Sequence, residues 1–134
     1  MSFDRVKALG IVRRARHEAR TRTSCSATLV DSLGRCCIMG ALALAAGIPA
    51  GVLRGKMNLT EAAQRKYPKE LQLLSELRLH IEGLLELNLE TENDIAVSGD
   101  LPDRQIGSRL LLRAFKALEA KWPESAKQAE PKYV

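Results

Sequence analysis

GRCCIMGALALAAGIP, residues 34–49, is the stretch on which the fold turns. Cys36 and Cys37 open an apolar run that Gly47 and Pro49 close. Glycine supplies a left-handed residue after a helix and proline forbids continuation, so the spacing predicts a helix from about Arg35 to Ala46. Gly40, Ala41, Ala43, Ala45 and Ala46 give this helix little bulk, which suits the centre of a bundle where neighbours approach closely. The run is too short to cross a bilayer, and Met1-Ser2-Phe3-Asp4-Arg5 leads into charges rather than a secretory apolar segment. A soluble, cytoplasmic protein without membrane contact is expected.

Working outward, helical spacing recurs on both sides. Ala8, Ile11, Val12, Ala15 and Ala19 form one stripe between Phe3 and Arg22, with Ser2 or Asp4 as cap. Thr21 to Gly34 is rich in Ser, Thr and β-branched residues and predicts a loop or a brief extended segment. Asn58 and Glu61 have the spacing of a capping box for a short helix, Leu59 to Lys66. Leu71, Leu74, Leu77, Ile81, Leu84 and Leu85 mark an amphipathic helix from Lys69 to about Leu89, weakest at Gly83. Ile106, Leu110, Leu111, Ala114, Phe115 and Leu118 define a last helix, Pro102 to Trp122, ended by Pro123. At 134 residues the chain suits one domain, and an apolar content of 46% with only 4% aromatics favours helices over a β-sandwich. The expectation is an all-α, single-domain bundle of about five helices over residues 1–123, followed by a polar, extended tail over 124–134.

Charge is placed unevenly. Residues 4–22 hold seven basic and two acidic side chains, which is the whole net charge of +5; the rest carries 14 of each sign. At about 100° per residue, Arg5, Arg13, Arg16 and Arg20 fall within about 80° of helix circumference, beside the apolar stripe. Arginine binds phosphate and carboxylate with fixed geometry, so this ridge is the strongest functional signal. Nucleic acid, a nucleotide or an acidic protein would each meet it. A solvated helix face is the plain alternative.

The cysteines admit two interpretations. A thiolate at a helix N-terminus has a lowered pKa, and His17 and His80 are available as bases, so Cys36 or Cys37 with His80 and Asn93 or Asp94 would make a cysteine hydrolase. Buried cysteine more commonly packs as a small hydrophobe, and that is the expectation here, with no catalytic residue assigned. A bond between Cys36 and Cys37 would be strained, which leaves only a pairing of Cys25 with one of them open, and reduced thiols are expected. The His and Cys positions lack the paired spacing of a metal site, and the glycines lack a phosphate-loop signature, so no metal and no cofactor are expected. Asn93-Asp94 breaks the helical pattern: either it is a polar site facing the cysteine-bearing helix, or a turn whose side chains bond backbone amides.

Cys37-Ile38-Met39-Gly40-Ala41-Leu42, then Asn93-Asp94, then a final amphipathic helix with Leu110, Ala114 and Leu118, resembles a group of small helical proteins of actinobacteria, other bacteria and their phages. The resemblance spans about residues 33–120. It implies a helical fold with Cys37, Gly40, Asn93 and Asp94 near one another, and carries no activity over. Its phage members suggest an accessory factor that binds and blocks a host component, including a defence component or its nucleotide signal. The expected role is therefore binding through Arg5, Arg13, Arg16 and Arg20 without catalysis. A virion or homo-oligomeric assembly component, and a cysteine-dependent hydrolase, are the alternatives.

Overall fold

Asp4 Oδ1 accepts the Lys7 amide at 3.0 Å and starts α1 (Arg5–Arg22), the helix around which the others gather. In a computed structural model that describes residues 3–129, seven further helices follow: α2 (Ile38–Ala45), α3 (Ala50–Leu53), α4 (Glu61–Lys66), α5 (Pro68–Leu85), α6 (Leu89–Ser98), α7 (Ile106–Lys121) and α8 (Pro123–Gln128). No strand forms among the described residues; isolated bridges join Ser24 and Val30 to Cys36, and Val30 to Arg54. None of the described helices is long and apolar enough to cross a membrane.

The bundle is all-α, with eight helices among the described residues where about five are expected from the sequence. The extra elements are short and carry little periodic signal: α3 is a single turn after Pro49, α6 is capped by Asn88 Oδ1 on the Thr91 amide at 2.9 Å, and α8 starts at Pro123. Pro123 both ends α7 and occupies the first position of α8, where its missing N–H costs nothing. Residues 123–128 are thus helical and packed on α1 and α7 rather than extended; residues 130–134 of the expected tail, like Ser2 as a cap, lie outside the described residues.

Three boundaries also move. Thr60, not Asn58, caps α4 by accepting the Ala63 amide at 3.2 Å. Glu86 adopts a left-handed conformation (φ 56°) and stops α5 before Leu89. Pro102 stays outside α7, because Asp103 first turns the chain through its carboxylate bond to the Gln105 amide.

Ala8, Leu9, Ile11, Val12, Ala15 and Ala19 of α1 are buried against α7 and α2. Close approach depends on small residues. A Cβ on Gly40 of α2 would lie 2.7 Å from the Leu29 carbonyl carbon and closer still to its oxygen, and one on Gly107 of α7 would sit 3.1 Å from Ser24 Oγ. That hydroxyl accepts the Gly107 amide at 3.1 Å, so the first turn of α7 is satisfied from a loop far away in sequence.

Candidate anion-binding site

α1 and α7 run antiparallel: Arg5 stacks on Trp122 beyond the end of α7, Arg13 stacks on Phe115, and the Gln105 side chain donates to the Arg20 carbonyl. Positions 13, 16 and 20 therefore line one seam, spanning about 10 Å at the helical rise. Arg5 sits apart from them at the Trp122 end, held 5.3 Å from the ring centroid. The four arginines read as one ridge in the sequence are divided by the fold into a group of three and a separate clamp.

Two other arginines of the cluster serve the architecture. Arg14 Nε donates to the Ala45 carbonyl at 3.3 Å, placing positive charge at the C-terminus of α2 where the helix dipole favours it. Arg22 pairs with Glu18 at 2.7 Å and donates to the Gly34 carbonyl at 3.1 Å, tying the end of α1 to the turn before the cysteines.

Arg13, Arg16 and the exposed Arg20 remain, and the first two meet α7 most closely. These two line a cavity of about 220 Å³ with Val12, Leu112, Phe115, Lys116 and Glu119. The Arg13 guanidinium lies 4.3 Å from the Phe115 centroid, which orients it through its face and leaves its N–H groups uncommitted. The Nε atoms of both arginines are buried and have no hydrogen-bond partner among the described residues. A buried donor without a protein partner costs about 1–3 kcal/mol, more for a charged group, which sets these two atoms apart from the paired guanidinium groups of Arg14 and Arg22. Phe115, Lys116 and Glu119 also line this cavity, and nothing in the sequence pattern singles them out as site residues. Phe115 is legible only as a core position, since nothing local shows which face of α7 meets α1.

The cysteine region is closed. Cys37 is the N-cap of α2, its Sγ accepting the Gly40 amide at 3.3 Å, while Cys36 lies before the helix in bridges to Ser24 and Val30. The helix expected from Arg35 begins instead at Ile38, because the Cys36 and Cys37 amides are spent on the Thr23 and Leu29 carbonyls. Burial pushes the Cys36 thiol up to about 12 and Cys37 to about 11; it raises Cys25 as well. His80 stands at the other end of α1, in a ring cluster with Phe3 and Trp122, while Cys36 neighbours Arg22 and Glu18. About 20 Å of helix separates these ends, and no thiol–imidazole pair forms between Cys36 and His80. His17 is on the exposed face of α1.

Asn93 lies inside α6 rather than in a turn. It is fully buried: its Oδ1 accepts the Ile38 amide at 3.1 Å and its Nδ2 donates to the Cys25 carbonyl at 2.8 Å and to Asp94 Oδ1 at 3.3 Å. The fold thus brings Cys37, Gly40, Asn93 and Asp94 to the start of α2, where Asn93 and the cap consume the backbone donors that an anion would need. No group of three or more His, Cys, Asp or Glu side chains converges on a metal-sized point among the described residues.

Compared with known proteins, the chain matches no family, no curated protein and no solved structure.

Proposed function

We propose that the protein is a non-enzymatic binding module that holds an anionic partner on the α1–α7 seam through Arg13, Arg16 and Arg20. A nucleic acid, a nucleotide or an acidic host protein presents the required charge. The observation that carries this role is that Arg13 and Arg16 line one cavity, with Nε atoms that have no hydrogen-bond partner among the described residues, beside a third, exposed arginine. Arg5 supports the seam from its end by clamping Trp122. The buried, high-pKa thiols favour binding over cysteine catalysis, since only the thiolate is a nucleophile. The resemblance to small phage and bacterial helical proteins extends the proposal to an accessory factor that blocks a host component.

The test is binding of a labelled mixed-sequence DNA duplex and of a labelled poly-glutamate peptide at rising salt. The wild-type protein is expected to bind at least one of them, with affinity falling steeply as salt rises. Arg13→Glu with Arg16→Glu should abolish that binding while the far-ultraviolet helical signal stays. Binding unchanged in the double variant would reduce the seam to an ordinary solvated face.

A further inference from the structure

We infer that the cavity between α1 and α7 is a discrete site for a phosphomonoester group, a conclusion that rests on the anion-binding role proposed above and narrows it. Size sets the first bound. A volume of about 220 Å³ exceeds the share of several water molecules, roughly 30 Å³ each, and falls below the 300–1,000 Å³ usual for whole drug-sized ligands. A compact head group enters it, and the remainder of the ligand stays outside.

Charge sets the second. Arg13, Arg16 and Lys116 surround the cavity against one carboxylate, Glu119, an excess of two positive charges. A phosphomonoester carries close to two negative charges at neutral pH and offers three free oxygens, enough to meet the Arg13 and Arg16 guanidinium groups and Lys116 together. A phosphodiester brings one charge and must continue at both ends, and here Glu119 stands on the seam in its way. A carboxylate likewise brings one charge. Phe115 already carries Arg13 on its face at 4.3 Å, so no ring is left to stack a base inside the cavity. Glu119 instead provides an acceptor for a hydroxyl on the ester's stem, which suits a sugar- or glycerol-type phosphate.

The other candidate sites carry less. The cleft of about 550 Å³ among α2, α4 and α5 contains Arg78 and Glu90, but these are already paired to each other, and the thiols near α2 are sealed.

The experiment observes the arginine Nε–H signals by proton–nitrogen NMR while inorganic phosphate, glycerol 3-phosphate, adenosine 5′-monophosphate, acetate or an oligonucleotide without terminal phosphates is added. Glycerol 3-phosphate is expected to move the Arg13 and Arg16 signals saturably, and acetate to leave them in place. Arg16→Gln should weaken the phosphate ester at least tenfold. Glu119→Gln, at an exposed position that leaves the fold intact, should change affinity for the ester more than for inorganic phosphate. Equal response to inorganic phosphate and the esters would support the head-group site and assign the free ion as its source. Nε–H signals indifferent to every phosphomonoester would overturn the inference. If the oligonucleotide or the poly-glutamate peptide still bound through the seam in that case, the broader anion-binding role would survive alone; if neither did, both would fall.

Discussion

Asn93 has no exposed surface, and its amide joins three segments that are distant in sequence: α6, the start of α2 and the loop at Cys25. Asn93→Ala leaves the Ile38 amide and the Cys25 carbonyl buried and unpaired, at about 1–3 kcal/mol each. A loss of about 3 kcal/mol in chemical denaturation is expected, and a change below 1 kcal/mol would show that water replaces the side chain. The thiols give a second residue-scale expectation. With Cys36 near 12 and Cys37 near 11, iodoacetamide at pH 8 should label these two thiols in the native protein at least about a hundredfold more slowly than in guanidinium, read site by site by mass spectrometry. Equal rates would mean that the region opens readily. Sequence pattern suggested that these cysteines pack, since they border an apolar run. It did not show that Cys37 Sγ also caps α2, because sulfur is an uncommon acceptor there.

At the scale of elements, two glycines on helices behave in opposite ways. Ala in place of Gly gains about 1 kcal/mol of helix propensity. At Gly83 a Cβ meets nothing within 4 Å, so Gly83→Ala should stabilise α5 by roughly that amount. At Gly40 the Cβ would collide with the backbone of Leu29, a contact that cannot yield without moving the loop. Overpacking there costs about 3 kcal/mol or more, which outweighs the propensity gain, and a net destabilisation of about 2 kcal/mol is expected for Gly40→Ala. Thermal denaturation of both variants checks the pair, and a Gly40→Ala protein as stable as wild type would refute the close packing of α2 on the loop. The long helices α1, α5 and α7 were legible because their apolar residues repeat at spacings of three and four over many turns. α6 was hidden because Asn93, a polar residue at a buried position, interrupts the very pattern that marks a helix. Its polar amide is tolerated inside because its partners come from residues 25 and 38, far beyond any local window.

For the whole molecule, the ring cluster of Phe3, His80 and Trp122 draws the N-terminal segment, α5 and the α7–α8 junction together, with Arg5 and Lys121 as cations against it. Burial, then Lys121, whose Nζ is 3.4 Å from Nδ1, and Arg5 hold the imidazole below its ordinary value of 6.5; Glu76 opposes them. The unfolded chain therefore takes up the proton first. Stability from this group is complete above pH 6.5 and is lost as pH falls below it. The melting temperature should drop between pH 7.5 and 5 in the wild type and less so in His80→Gln; parallel curves would remove His80 as the cause. Asp31 acts in a separate, lower window. Burial disfavours its charge, but bonds from the Arg35 side chain and from the Arg35 and Leu33 amides outweigh that, so its contribution fades only as pH falls towards and below 3.8.

The candidate site was half legible at this scale. The arginines of α1 are evident from composition, but their cavity needs α7 laid antiparallel against them, a pairing fixed by the whole core. The same pairing bears on how the protein is made. α1 leaves the ribosome roughly 80 residues before α7, and at ordinary rates of synthesis that is a delay of roughly 4–16 s. Throughout it, the apolar stripe from Ala8 to Ala19 lacks its principal cover, so the nascent chain presents a chaperone with an amphipathic, arginine-flanked segment well before the bundle can close.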